Sequence, residues 1–181
     1  MSRAVMLSIR PKWCEKIANG EKTIEVRKTR PKLETPFKCY IYCTLPKYPH
    51  EDFIATNYPR PQFYGGGKVI GEFTCDRIYE LETKAHGGSY YVKGEDWLTA
   101  REVAQQSCLT LKDMHDYLHA QKGYGWHITD LRIYDAPKCL FEFWAERLCR
   151  REPSVFGCGE CCDCDKRAPQ SWCYVEAMDN G

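Results

Sequence analysis

The stretch Met6–Arg30, MLSIRPKWCEKIANGEKTIEVRKTR, carries the signals that decide the fold. Its first four residues form a short apolar run that predicts a strand. Pro11 then stands where the first turn of a helix tolerates a missing N–H. Asn19 and Gly20 predict the end of that helix, because both accept the left-handed conformation that often follows one. The alternation of residues 23–27 predicts a second strand, so the stretch forms a strand–helix–turn–strand unit.

The second strand of this unit carries charged residues on one face. Strict alternation places Thr23, Glu25 and Arg27 together, and Lys22 lies just before the strand. A lysine beside a carboxylate acts as a proton shuttle if it is buried, or forms a plain surface ion pair if it is not. The pattern therefore predicts one wall of a polar site, with a surface salt bridge as the alternative.

Length and composition predict one folded domain with an appendage. A chain of 181 residues can bury a sizeable core. Its hydrophobic share of 43% and aromatic share of 13% are typical of a folded protein. The composition shifts near residue 148, so we expect a domain over residues 1–148 and a Cys-rich appendage over residues 149–181 that packs back on it.

Positive charge is concentrated near the N-terminus. Residues 1–38 hold ten Lys/Arg and four Glu, a net charge of +6, which leaves −5 for the rest of the chain because the total is +1. Such a segment can guide a phosphate-bearing partner to one face, although a solvated charged surface is the alternative. Arg3 and Arg10 interrupt any apolar stretch that could form a signal peptide, and no stretch has the length of a membrane span. We therefore expect a cytoplasmic protein with reduced thiols and no membrane partner.

The remaining pattern predicts five or six strands and a few short helices. We expect strands over residues 37–44, 68–79, 126–134 and 140–143, and long loops over residues 45–66 and 82–96. One helix is expected after a capping box of Thr99 with Glu102, and a second helix is expected to begin at Thr110. Helices do not alternate with the strands, which disfavours a parallel βαβ sheet. Gly71 predicts a bulge or a close approach of another backbone. The fold class is α+β, mainly β, as a mixed barrel with short peripheral helices.

Three motifs resemble the ASCH family, a branch of the PUA-like β-barrels. The first is Gly-x-Lys-x-x-Glu-x-Arg after a short helix, which this chain holds from Gly20 to Arg27. The second is GYGWHITDLRIYDAPKCLFEF at residues 123–143, which is similar to a closing strand of that barrel. The third is APQSWCYVE at residues 168–176, which is similar to the end of prophage-type members and looks like a docking strand.

The resemblance implies a cleft that binds RNA or a modified nucleoside. The residues expected to line it are Arg10, Lys12, Lys22, Glu25, Arg27, Trp126 and His127. Adjacent residues on a strand face opposite sides, so we expect either Trp126 or His127 to face the cleft. An exposed Trp126 could stack on a base, whereas a core tryptophan beside a hydrogen-bonded histidine is the alternative.

One branch of the family, the acetylcytidine amidohydrolases, implies an enzyme as the alternative function. The motif of that branch has a nucleophilic Thr where this chain has Glu25, and a carboxylate cannot replace a hydroxyl in the same mechanism. A hydrolase acting on a nucleoside or nucleobase would instead use Lys22 and Glu25 as an acid/base pair. A third class is an interaction module that a zinc ion holds together and that binds no ligand.

Cysteine spacing in the appendage predicts a structural zinc site. Six of the twelve cysteines lie in residues 149–181, and the C-x-x-C turn from Cys158 to Cys161 lets two thiolates meet one tetrahedral ion. The preferred ligands are Cys149, Cys158, Cys161 and Cys164, with Cys162 as the substitute. Free thiols or a disulfide are the alternative. The other cysteines are expected in the core, where a free thiol behaves as a small hydrophobe: Cys14, Cys39, Cys43, Cys75, Cys108 and Cys139.

Overall fold

The structure is a computed structural model that describes residues 2–45, 48, 53–55, 62–84, 88–143 and 168–178. The strands are β1 Arg3–Ile9, β2 Ile24–Arg27, β3 Phe37–Cys43, β4 Phe53–Ala55, β5 Gln62–Tyr64, β6 Lys68–Cys75, β7 Ile78–Thr83, β8 Tyr90–Val92, β9 Gly123–His127, β10 Thr129–Cys139 and β11 Trp172–Glu176. The helices are α1 Pro11–Ala18, α2 Ala100–Gln106 and α3 Leu111–Leu118, and a 3-10 helix covers Leu140–Phe143. The mainly β class with few helices is confirmed.

The chain divides into two compact units that each use several segments. The first unit comprises Met1–Glu15, Lys38–Phe73 and Arg132–Gly181, and the second comprises Lys16–Phe37 and Thr74–Leu131. This division follows the contacts between segments. The expected boundary at residue 148 follows a change in composition and remains a prediction.

A five-stranded sheet with the order β10-β6-β3-β1-β11 organises the first unit. β1 pairs parallel with β3, whereas β11 pairs antiparallel with β1, with Val5 opposite Tyr174. The sequence WCYVE therefore forms a strand that pairs with β1, in agreement with the docking strand that the resemblance implied. One hydrophobic cluster in this unit contains Ala4, Met6, Tyr40, Tyr42, Val69, Phe143 and Val175.

A four-stranded antiparallel sheet with the order β2-β9-β7-β8 organises the second unit. Its apolar face packs with the two helices α2 and α3. Both helices begin where they were predicted, α2 after the predicted capping box of Thr99 with Glu102 and α3 after a capping box of Thr110 with Asp113 that was not predicted. The shared core contains Ile24, Val26, Tyr79, Leu81, Val92, Leu98, Ala100, Val103, Ala104, Met114 and Leu118.

Several predicted strand boundaries are wrong because the chain changes sheet inside a continuous strand-like pattern. Residues 68–79 form two strands, since β6 joins the five-stranded sheet and β7 joins the four-stranded one. The predicted strand over 126–134 is likewise divided between β9 and β10. An apolar, β-branched pattern reports that a residue is extended, but it does not report which sheet the residue joins.

Three short elements also differ from the prediction. The loop over residues 45–66 contains the β4–β5 hairpin, and the loop over 82–96 contains β8, because three-residue strands are too short to show alternation. Residues 140–143 form a 3-10 helix instead of a strand. The Cys139 backbone N–H donates to Glu142 Oε1 at 2.7 Å, so a local side chain satisfies the start of that turn.

The expected barrel is not closed within the part of the chain that the structure describes. Closure requires the end strands of a sheet to pair with each other. Here one sheet ends at β10 and β11, the other ends at β2 and β8, and both are open. The sequence predicted five or six strands, whereas the structure describes eleven, and it did not indicate how the strands pair. None of the helices described here is long and apolar enough to cross a membrane.

Candidate functional site

Three charged side chains form a buried cluster in the second unit. Lys22 Nζ lies 3.1 Å from Glu25 Oε2, and Arg27 Nε lies 3.0 Å from Glu25 Oε1. The exposed fractions of the Lys22, Glu25 and Arg27 side chains are 3%, 9% and 7%. One carboxylate thus forms ion pairs with two cations in a largely desolvated place. We call these three residues the charged triad.

The turn after α1 places Lys22 in the triad. Gly20 adopts a positive φ of 73°, a conformation that glycine takes without steric cost. The Lys16 carbonyl then accepts hydrogen bonds from the backbone N–H groups of Glu21 and Lys22, at 2.9 and 3.0 Å. The helix end that Asn19-Gly20 predicted therefore also positions the lysine of the motif.

The second partner of Lys22 lies far away in sequence. Lys22 Nζ donates to the backbone carbonyl of Ser107 at 2.9 Å, across 85 residues. Ser107 is the C-cap of α2, and the carbonyl groups at a helix C-terminus carry partial negative charge that favours an ammonium group. Sequence reasoning missed Ser107, since no local pattern reports a contact of this range.

Strand pairing divides the predicted site residues between two faces of the sheet. Glu25 lies opposite Trp126 and Arg27 lies opposite Tyr124, so these four residues share one face. Ile24 lies opposite His127, which places His127 on the other face. The expectation that Trp126 and His127 face opposite sides agrees with this register.

Trp126 is fully buried beside the charged triad. Its exposed fraction is 0%, and the Phe37 ring meets it edge-on with 5.8 Å between ring centroids. A nucleobase cannot stack on a ring in this position. Trp126 is therefore a core tryptophan, in agreement with the alternative prediction.

His127 is partly exposed and is held by a carboxylate. Its Nδ1 lies 2.7 Å from Asp76 Oδ1, with 29% of the histidine side chain and 44% of the aspartate side chain exposed. Such a contact fixes the orientation of the imidazole ring and leaves Nε2 as the nitrogen that a ligand would use. Sequence reasoning missed Asp76, which lies 51 residues from its partner.

Arg10, which directly precedes α1, and Lys12, in the first turn of α1, belong to the first unit. Arg10 and Lys12 are both exposed. Lys12 Nζ lies 4.3 Å from the centroid of the neighbouring Trp13 ring, which is a cation–π contact. The contacts described above join Lys22, Glu25 and Arg27 only, so the roles of Arg10 and Lys12 remain predictions.

The scattered cysteines are mostly core residues, as expected. Cys14, Cys39, Cys43 and Cys75 are buried, and burial raises the pKa of Cys75 to about 12, which keeps that thiol protonated at neutral pH. Cys108 and Cys139 are instead partly exposed. Cys108 lies in the turn that follows α2, and Cys139 is the last residue of β10.

The predicted zinc ligands Cys149, Cys158, Cys161 and Cys164, with the substitute Cys162, lie outside the described residues. Within the described ranges, no group of three or more His, Cys, Asp or Glu side chains could hold a metal ion. Cys173 belongs to β11. The zinc site therefore remains a prediction.

This arrangement of two open sheets and short helices is the fold of ASCH domain structures. The ASCH protein from Zymomonas mobilis matches with a TM-score of 0.58 at 16% identity, over 96% of this chain and 87% of that chain. A tyrosine-to-phenylalanine variant of that protein matches with a TM-score of 0.57 at 16% identity, over 96% of this chain and 90% of that chain. A serine-to-alanine variant matches with a TM-score of 0.58, also at 16% identity, over 96% of this chain and 88% of that chain. No protein-family model and no curated protein matches the sequence. The expected ASCH fold is confirmed, and an identity of 16% carries the fold alone.

Proposed function

We propose that this protein binds RNA or a modified nucleoside, and that the charged triad is the centre of its recognition site. The observation that carries the proposal is the burial of Lys22, Glu25 and Arg27 to 9% exposure or less. Buried ion pairs contribute little net stability, because desolvation offsets their attraction. Stability alone therefore does not explain three buried charges on one sheet face beside a buried tryptophan, which supports a role in recognition.

The chemistry of the triad suits the edge of a nucleobase and the phosphate of a nucleotide. A carboxylate accepts hydrogen bonds from amino groups, whereas lysine and arginine donate to carbonyl and phosphate oxygens. Exposed basic residues of the N-terminal segment, Arg10 and Lys12 among them, supply further positive charge for the backbone of RNA. The ASCH fold gives the same expectation about the ligand.

The second candidate function is a hydrolase that acts on a nucleoside or nucleobase. The distance of 3.1 Å between Lys22 Nζ and Glu25 Oε2 favours it, because a proton can transfer between the two groups over that distance. In this alternative Lys22 and Glu25 form the acid/base pair. The two side chains already hold each other in an ion pair, and Arg27 also binds the carboxylate, which favours recognition over proton transfer.

Two features of the protein complete the proposal. We infer a cytoplasmic location, and we infer a structural zinc site in the appendage. Neither feature contributes to the recognition chemistry of the triad.

The two functions respond differently to salt. Binding to single-stranded RNA should weaken steeply between 50 and 200 mM salt, because phosphate contacts release counterions. Lys12→Ala should weaken binding across sequences and flatten the salt slope by roughly one unit if Lys12 contacts a phosphate. A hydrolase should instead release product from a nucleoside panel that includes acetylcytidine, with little dependence on salt. Absence of binding to RNA and to every nucleoside would contradict the proposal.

A further inference from the structure

An aromatic and charged cluster lies in the second unit and takes no part in the triad. It comprises Asp76 and Arg77, the two residues between β6 and β7, together with Tyr79, Trp97 and His127. Trp97 is 61% exposed, whereas Tyr79 is 6% exposed and belongs to the hydrophobic core. An exposed tryptophan that rests on a core residue is held in place while most of its surface remains open to solvent.

Two contacts fix the Trp97 ring. The Tyr79 ring meets it edge-on with 6.2 Å between centroids and an interplanar angle of 74°. The Arg77 guanidinium carbon lies 5.7 Å from the centroid of the Trp97 ring, within the range of a cation–π contact. Both contacts restrict the Trp97 ring before a ligand binds, which lowers the entropic cost of ordering the ring when a base stacks on it.

Tyr79 also connects the tryptophan to the His127–Asp76 pair. The His127 ring meets Tyr79 edge-on at 6.2 Å, the same centroid distance as that of Trp97. The Asp76 carboxylate holds His127 Nδ1 at 2.7 Å, so Nε2 can donate or accept a hydrogen bond at a defined position. An open aromatic surface and an oriented hydrogen-bonding group thus flank one core residue.

Charged groups of both signs act on Tyr79 in the cluster. Burial raises the pKa of Tyr79, and the carboxylates of Asp76 and Glu95 raise it further while Arg77 opposes them. Two carboxylates therefore lie near the ring, against one guanidinium. A neutral planar ring is compatible with this mixture of charges.

We propose that Trp97 is a stacking platform for an unpaired nucleobase and that His127 bonds to the edge of that base. The inference rests on the proposed function, because it takes nucleic acid as the ligand, but it uses residues outside the triad. Stacking on aromatic side chains is how single-stranded nucleotides are commonly held. Trp97 stands in a polar stretch of the sequence, which is the signal by which it could have been found.

The test compares binding of single-stranded RNA to the wild type and to Trp97→Ala. Loss of a stacked base should weaken binding by about five- to 150-fold, the range that alanine substitutions of stacking residues give. The salt slope should not change, because no phosphate contact is lost. Trp97→Phe should retain most of the affinity, since it keeps an aromatic face.

The chain offers a matched control in Tyr117. Tyr117 is also an exposed aromatic residue, at 40%, and Lys28 Nζ lies 5.3 Å from its ring centroid. Tyr117 is no part of the proposed platform, so Tyr117→Ala should leave binding unchanged. An abasic strand of equal length should bind equally to the wild type and to Trp97→Ala, because it offers phosphates and no base.

Three results would overturn the inference. Equal affinity of the wild type and Trp97→Ala for RNA would remove the platform and leave the proposed function standing. Failure of the wild type to bind RNA or any nucleoside would overturn both. For the second residue, His127→Gln should change the relative affinities for oligo(A), oligo(C) and oligo(U), and unchanged ratios would remove His127 from the site.

Discussion

The Lys22 ammonium group contacts two partners at once: Glu25 Oε2 at 3.1 Å and the backbone carbonyl of Ser107, at the end of α2, at 2.9 Å. The contact to Glu25 is local, since the two residues stand three apart. The contact to Ser107 joins the start of β2 to a helix that packs on the same sheet. One buried lysine therefore couples the sequence motif to the packing of the second unit.

Replacement of Lys22 by Met should strongly destabilise the protein. The methionine keeps much of the apolar length of the side chain but leaves Glu25 with one cation in place of two and the Ser107 carbonyl without this donor. Removal of one partner from a buried ion pair costs about 3–5 kcal/mol. Chemical denaturation should show this as a lower midpoint with an unchanged slope.

The exposed neighbour Lys28 provides the control for this prediction. Lys28→Met removes the same charge from the same segment and should change the stability by about 0.5 kcal/mol or less. Equal effects of the two substitutions would show that Lys22 contributes as a surface lysine.

The sequence predicted those parts of the fold that depend on near neighbours. Pro11, Gly20 and the alternation through Arg27 predicted α1, its end and β2, because helix starts, helix ends and pleated strands are local phenomena. The same alternation predicted that Glu25 and Arg27 share a face. Burial of the triad did not follow from it, since burial depends on residues elsewhere in the chain.

Long-range contacts account for most of what the sequence did not predict. Asp76 meets His127, and Lys22 meets Ser107, across 51 and 85 residues. Asp76 and Arg77 separate β6 from β7, but the sequence is apolar on both sides of these two residues. Composition therefore did not indicate the change of sheet. Trp126 shares its strand with His127, but only the pairing with Glu25 reveals which of the two is buried on the face of the triad.

Gly71 tests the packing of β6 against β10. A Cβ atom at Gly71 would collide with the backbone oxygen of Arg132 and lie 3.1 Å from Ile133 Cα, which bears out the predicted close approach of another backbone. Gly71→Ala should therefore destabilise the protein by about 1–3 kcal/mol, as overpacking does. Thermal unfolding measures the effect.

Gly94 gives the contrast, because nothing lies within 4 Å of a Cβ there and its φ is 75°. Asparagine adopts that conformation more readily than most other residues, so Gly94→Asn should carry only the strain of the positive φ and destabilise the protein less than Gly71→Ala does. A Gly71→Ala protein as stable as the wild type would contradict the described approach of the two backbones.

The pair of Glu80 and Lys122 predicts a loss of stability in acid. The hydrogen bond from Lys122, at 2.9 Å, is the largest cause that holds the pKa of Glu80 below its ordinary value of about 4.5. A depressed pKa contributes stability that is present above pH 4.5 and is lost as the pH falls through the folded-state value. Lys122→Met should thus lower the melting temperature more at pH 6 than at pH 3.

Lys84→Met, a change at an exposed lysine in the same unit, should show no such dependence on pH. A difference in melting temperature between the wild type and Lys122→Met that stays constant from pH 6 to pH 3 would contradict the linkage.

The appendage should bind zinc. Protein purified without added metal should contain about one equivalent of zinc per chain, as one four-thiolate site requires. Metal analysis of Cys161→Ser should show loss of that zinc, whereas Cys173→Ser should retain it, because Cys173 lies opposite Met6 in the β11–β1 pair. A chelated protein that keeps its full thermal stability would be inconsistent with a structural role for the metal.

The most direct test of the proposed function is the affinity of Glu25→Gln for single-stranded RNA and nucleosides at fixed salt. The substitution keeps the shape of the side chain and removes the negative charge that pairs with Lys22 and Arg27. Glu21→Gln is the matched control, since Glu21 is an exposed acid of the same turn that pairs with Lys16. We predict a loss of about 1–3 kcal/mol in binding for Glu25→Gln, the usual cost when a charged hydrogen-bond partner is removed, and none for Glu21→Gln. Normal nucleoside binding by Glu25→Gln, together with loss of a hydrolytic turnover that the wild type shows, would contradict the account and establish the enzyme.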